Sequence, residues 1–229
     1  MTKNARISLI IIAVVVVVVG GFILLSKLNG PSAPQPQAGS TKAAGPVAAA
    51  PAELLVRPDS HKLNDAPNAK VTLVEFLDFE CESCRAAYPG VEQLRAEYGD
   101  RVTFVLRYFP IPSHRNAELS ATVVEAASKQ DKLEAMYKRM YETQAEWGEK
   151  QVLQRELFVG FARELGLDMA KFEADLNDPA TLERVVKDRK DGNTVGVQGT
   201  PTFFINGTKF GGRPSYDGLK AVIDQELAK

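Results

Sequence analysis

The chain is predicted to be an α/β protein with a central mixed sheet and a helical insertion, preceded by one transmembrane helix. Three observations carry this prediction. Residues 71–79 (VTLVEFLDF) and 102–109 (VTFVLRYF) are apolar, branched and aromatic, and read as two buried strands with one helix between them. A block from about 116 to 193 shows helical spacing and no strand signal. An apolar run at 7–25 carries no charged residue.

The apolar run comes first. At about 1.5 Å rise per residue it comes close to spanning a hydrocarbon core about 30 Å thick. Lys3 and Arg6 precede it and only Lys27 follows closely. The positive-inside bias therefore keeps the N-terminus in the cytoplasm and sends the rest of the chain across the membrane. The run exceeds the usual signal-peptide core of about 7–15 residues, and Ser26-Lys27-Leu28 lacks a small-x-small cleavage pattern. Residues 1–28 are thus read as an uncleaved single-pass anchor, with a late cut in the Ala-rich stretch 43–52 as the alternative. Residues 29–53 are rich in Pro, Ala, Gly, Gln and Ser and read as an extended linker, because they offer too little apolar surface to offset ordering.

The folded domain is placed at 54–229. After the first strand, residues 82–98 place Ala86, Ala87, Val91, Leu94 and Tyr98 near helical spacing, with Pro89 expected to kink the helix. Gly99-Asp100 closes it before the second strand, which suggests a right-handed βαβ unit. In the block that follows, Ala117, Ala121 and Val124 mark one helix face, and Met136, Tyr137 and Met140 another. Leu157, Phe161 and Leu165 mark a third, closed by Gly166. Asp168 is a candidate N-cap for a short helix, and Asn177-Asp178-Pro179 opens the last one. Residues 202–205 (TFFI) return to strand, and Asn206-Gly207 marks a hairpin because both residues tolerate positive φ. Residues 216–227 form a closing amphipathic helix.

Composition narrows the function. Lys and Arg number 28 against 29 Asp and Glu, so no basic stripe calls for nucleic acid. The two cysteines are too few for a disulfide framework. A zinc site would have to recruit both His61 and His114, whose spacing is not ligand-like. No cofactor is expected.

The chemistry lies in Cys81-Glu82-Ser83-Cys84, at the junction of a buried strand and a helix. Residues three apart in the first helical turn sit close enough for two sulfurs to join. The free amides and positive dipole end of the helix stabilise a thiolate on Cys81, the nucleophile in disulfide exchange. Cys84 is then the more buried, resolving sulfur. The alternative is an inert structural disulfide. So short a loop constrains the unfolded chain little, which leaves scant structural reason for it.

With Phe79-Glu80-Cys81-Glu82-Ser83-Cys84, the later Gly199-Thr200-Pro201-Thr202 and the helical block between them, the sequence resembles the thioredoxin superfamily, and more closely its DsbA-like branch. The resemblance covers the chain from about residue 66 onward. It implies a thioredoxin-like fold, a cis Pro201 packed beside the cysteine pair, and a Thr200 backbone that takes a peptide as an added strand. It also implies that Glu75, a buried acid six residues before Cys81, is the proton acceptor for Cys84. The other reading of Glu75 is a charge at a sheet edge.

An extracytoplasmic compartment favours disulfide formation, and the helical insertion points the same way by resemblance to oxidases. Strong oxidants of the branch commonly carry a histidine between the cysteines. Glu82-Ser83 stands there instead, and Glu82 and Glu80 disfavour a nearby thiolate, with Arg85 offsetting part of this. The expectation is a milder oxidase acting on reduced secreted proteins, monomeric, and reoxidised by a quinone-linked membrane protein. The alternatives are a reductase for cytochrome or metal-site assembly and a non-enzymatic binding module; an isomerase lacks a dimerisation module here. His114 is read as a capping or surface residue, Trp147 as packing, and residues 187–190 as a solvated helix face.

Overall fold

The computed structural model describes residues 49–64 and 66–229, so the predicted anchor (1–28) and most of the predicted linker (29–53) lie outside the described residues. Among the described residues no helix is long and apolar enough to cross a membrane.

Five strands build one sheet: β1 (His61–Asn64), β2 (Val71–Leu77), β3 (Val102–Tyr108), β4 (Thr202–Ile205) and β5 (Thr208–Lys209). Their order is β1-β3-β2-β4-β5. The β2–β3 pair is parallel and the other three pairs are antiparallel, so the sheet is mixed. Strand β2 lies between β3 and β4 and is covered on both faces. Val71, Leu73 and Leu77 join the larger core, whereas Val74 and Phe76 pack with Leu55, Val105, Phe109 and Phe204 in a second one. A central strand has no solvated face, which is why its sequence is nearly continuous in apolar residues.

Helix α1 (Ala52–Leu55) precedes the sheet, and α2 (Glu82–Tyr98) joins β2 to β3. Helix α2 buries Cys84, Ala87, Val91, Leu94 and Tyr98 on one face and continues through Pro89. The insertion comprises α3 (Ala117–Ser128), α4 (Leu133–Trp147), α5 (Arg155–Glu164), α6 (Met169–Asn177) and α7 (Pro179–Thr194). Its punctuation follows local chemistry. Gly166 takes the left-handed conformation (φ +73°) just after α5, and Asp168 and Asp178 cap α6 and α7 by accepting from the Lys171 and Ala180 amides. Trp147 is fully buried, its ring 4.8 Å from that of Phe158, as a packing residue should be. Helix α8 (Tyr216–Leu227) closes the chain, started by Ser215, whose hydroxyl accepts from the Gly218 amide. In the β4–β5 turn Asn206 and Gly207 both have positive φ, 47° and 83°.

The sequence reading did not foresee α1 and β1. Both are short, and β1 (HKLN) is an edge strand with one buried residue, so no apolar run announces it. Residues 49–53, assigned to the linker by composition, lie against the domain in this structure. The Ala50 amide donates to Gly207 O at 2.9 Å. Arg107, fully buried in β3, donates to the carbonyls of Leu54 (2.8 Å) and Leu55 (2.7 Å) and to Asp188 (2.7 Å) and Asp191 (2.6 Å) of α7. Arg57 pairs with Asp191 as well. The start of the domain is therefore strapped to the sheet through one buried guanidinium whose partners satisfy its charge and its donors.

Candidate active site

Strand β2 ends at Leu77, and the next residues turn so that Cys81 occupies the N-cap of α2. No side chain caps this helix by a hydrogen bond. Its free amides are left for the sulfur, and the backbone groups of Ser83 and Cys84 both favour a thiolate on Cys81. Both cysteines are buried and their sulfurs are not bonded to each other in this structure. A hydrogen bond from Cys84 is the largest influence on Cys81, followed by burial acting in opposition, then by the Thr200 side chain and those backbone groups; together they lower the Cys81 thiol to about 6. Cys84 is fully buried, and burial, with the Cys81 hydrogen bond behind it, pushes its thiol well above the ordinary cysteine range. Two thiols three residues apart are thus driven in opposite directions.

The Thr200–Pro201 bond is cis. It brings Thr200 O to 3.3 Å from Cys81 Sγ. The Thr200 hydroxyl is buried with no hydrogen-bond partner among the described residues, and the Thr200 side chain favours a thiolate on Cys81. So the turn that leads into β4, distant in sequence, lies against Cys81.

Glu75 is buried at the centre of β2, paired with Leu106 of β3 and Phe203 of β4, and is not at an edge. Burial, with Glu92 and Cys81 adding to it, pushes its carboxyl up to about 8. It lies within electrostatic reach of Cys84, whose thiol it helps to raise. Glu82 and Ser83 are exposed at the start of α2, and both line a cleft of about 500 Å³ beside Cys81.

Two residues of this site, Gln144 and Asp78, escaped the sequence reading. Gln144 of α4 donates through Nε2 to the carbonyls of Phe79 (2.6 Å) and Cys81 (3.0 Å), so the insertion clamps the turn that carries the nucleophile. Asp78, fully buried, accepts from the amides of Glu80 (2.8 Å) and Ile111 (2.9 Å) and pairs with His114 Nδ1 at 2.8 Å. His114 keeps a third of its side-chain exposure and lines the cleft beside Cys81, its ring held by Asp78. Glu80 differs from expectation. Its carboxylate accepts from the amides of Asn116 (2.5 Å) and Glu149 (3.1 Å), so it braces two loops beside the site as well as adding charge. No spacing rule joins Asp78 to His114 across 36 residues; the only local hint is an aspartate closing an apolar strand. Among the described residues no group of three or more His, Cys, Asp or Glu is placed to hold a metal.

The fold is shared with solved structures. A thioredoxin-like oxidoreductase from Silicibacter pomeroyi is 25% identical with a TM-score of 0.66, covering 79% of this chain and 99% of its own. BdbD from Bacillus subtilis (22%, TM-score 0.66, covering 74% and 94%) and α-DsbA1 from Wolbachia pipientis (23%, 0.68, covering 77% and 94%) share the fold. Among curated proteins, a Na(+)/H(+) antiporter NhaA from Herminiimonas arsenicoxydans is 35% identical over 74% of this chain and 26% of its own length, so the chain spans about a quarter of such relatives. Residues 65–225 match the family model described as thioredoxin, which is most of the chain, and the protein belongs to that family.

Proposed function

We propose that the protein is an extracytoplasmic thiol–disulfide oxidoreductase that introduces disulfides into secreted proteins through Cys81 and Cys84, held at the membrane by residues 1–28. The observation that carries this reading is the opposed pair of thiols at the start of α2, with Cys81 at about 6 and Cys84 raised. In the oxidised protein a substrate thiolate attacks Cys81 Sγ, and the Cys81–Cys84 bond breaks with its electron pair going to Cys84. Glu75, largely protonated below its pKa of about 8, supplies the proton that Cys84 takes up. A second substrate thiolate then attacks the substrate sulfur of the mixed disulfide, and Cys81 leaves as a thiolate, the form its surroundings favour. The substrate has lost two electrons and the pair has gained them. On reoxidation the Glu75 carboxylate takes the proton back from Cys84.

Thr200 and Pro201 form the substrate platform in this reading, with the Thr200 backbone pairing an extended peptide beside Cys81. Glu82 and Ser83 set the redox poise. A quinone-linked membrane protein is the proposed acceptor of the two electrons, and reduced secreted polypeptides are the substrates.

Equilibration with glutathione tests the direction of flow. A reduction potential near roughly −120 to −180 mV matches an oxidant, whereas about −270 mV or lower points to a reductase. Trapping with Cys84→Ala tests the chemistry itself: mixed disulfides on Cys81 are expected to accumulate, and their absence would mean an inert binding module.

A further inference from the structure

The motif lacks a histidine between its cysteines, yet the tertiary structure brings one to the site. The loop after β3 reads Phe109-Pro110-Ile111-Pro112-Ser113-His114. It is held at three points: the Phe109 amide donates to Leu77 O (2.7 Å), the Ile111 amide to Asp78 Oδ2 (2.9 Å), and the His114 amide to Ile111 O (3.0 Å). Two prolines stiffen it further by fixing φ. Asp78 takes His114 Nδ1, no hydrogen bond from Nε2 is seen among the described residues, and the side chain keeps 33% of its exposure. His114 and Cys81 line the same cleft.

We propose that His114, oriented by Asp78, is the positioning residue that compensates the Cys81 thiolate from across the cleft, in place of a cation inside the cysteine motif. The inference rests on the reading of Cys81 as the nucleophile. Its step transfers no proton. When the bond between Cys81 and a substrate sulfur breaks, the electron pair stays on Cys81, and the His114 ring, in its protonated form, offsets the new charge. Pre-organisation makes this effective, since the ring does not have to reorient as charge develops.

The titration of His114 agrees. The hydrogen bond with Asp78 raises it above the ordinary histidine range, against partial burial, and the charges of Asp78, Cys81 and Glu80 add to the effect. The other charged groups lining the cleft are Glu82 at the start of α2, Arg115 beside His114, and Glu149 in the loop after α4. Of these only Arg115 is a cation. It is exposed, so solvent screens it more than the half-buried His114.

The test is the pH dependence of Cys81 alkylation by iodoacetamide in the reduced full-length chain, with the modified cysteine located by mass spectrometry. His114→Gln should move the Cys81 midpoint upward by about half a pH unit or more, roughly a threefold loss of thiolate in the titrating range. His114→Lys should recover part of the shift, and Arg115→Gln should move the midpoint less than His114→Gln does. A midpoint unchanged in His114→Gln, or moved as far by Arg115→Gln, overturns the proposal. A parent midpoint near that of an ordinary cysteine would instead overturn the nucleophile reading, so the two failures are distinguishable.

Discussion

Glu75 offers the sharpest quantitative test of the site, because its charge state links stability to chemistry. Its carboxyl rises from 4.5 to about 8 on folding, with burial as the leading cause. Between those values the folded protein holds a proton that the unfolded chain has released. Stability contributed by this group is therefore complete below pH 4.5 and is lost as pH rises toward 8. The slope is about 1.4 kcal/mol per pH unit, and the cost at pH 7 is about 3 kcal/mol. Replacing Glu75 by Gln keeps the shape of the protonated acid and removes the titration. The perturbation is thus Glu75→Gln, and the assay is guanidinium chloride unfolding at pH 5, 6, 7 and 8 on the reduced fragment from Ala49 onward, where the described residues begin. The difference between variant and parent isolates Glu75 from His114 and other titrating groups. The variant should be no more stable than the parent near pH 4.5 and should gain on it steadily, by about 3 kcal/mol at pH 7. The same variant should reduce and reoxidise its cysteine pair about 10-fold to 100-fold more slowly, since Cys84 loses its proton partner. Parallel stability profiles for variant and parent would refute the argument. They would show that Glu75 is ionised in the fold, and its role as proton carrier would fall with that.

Further tests are direct. The reduction potential should fall by about 59 mV per pH unit below the Cys81 midpoint of about 6 and by about 30 mV per unit above it, because one proton fewer then accompanies the two electrons; a single slope across that range contradicts a lowered Cys81 thiol. Glu82→His removes a carboxylate beside the thiolate and should make the pair more oxidising by on the order of 20–40 mV in glutathione equilibration; an unchanged potential sinks the assignment of redox poise to this position. Arg107→Met leaves Asp188 with Arg184 alone and Asp191 with Arg57 alone and frees the Leu54 and Leu55 carbonyls, so it should cost about 3–5 kcal/mol and open Arg57 to trypsin, and a loss under about 1 kcal/mol would show the strap to be unimportant.

The sequence by itself determined the parts of this protein governed by nearest neighbours along the chain. Helix α2 and strand β4 run between the residues at which their patterns begin and end, because a strand entering the sheet centre must be apolar and a helix must bury one face in each turn. The caps at Asp168 and Asp178 and the Asn206-Gly207 turn were legible for the same reason, since each depends on a few consecutive backbone angles. The position of Cys81 at the head of α2, and with it the direction of the helix dipole, also follows from local order. Strand β1 and helix α1 were not legible, because their stability comes from the sheet edge and from Arg107, not from their own residues.

What tertiary structure alone decided is the electrostatic setting of the nucleophile. The Thr200 carbonyl reaches Cys81 across 119 residues, and Gln144 reaches its carbonyl across 63. His114 is fixed by Asp78 through a contact that no periodicity encodes. Electrostatic effects depend on distance and burial in space, which chain spacing does not record. The motif names the sulfur that reacts, and the fold sets how readily it carries charge.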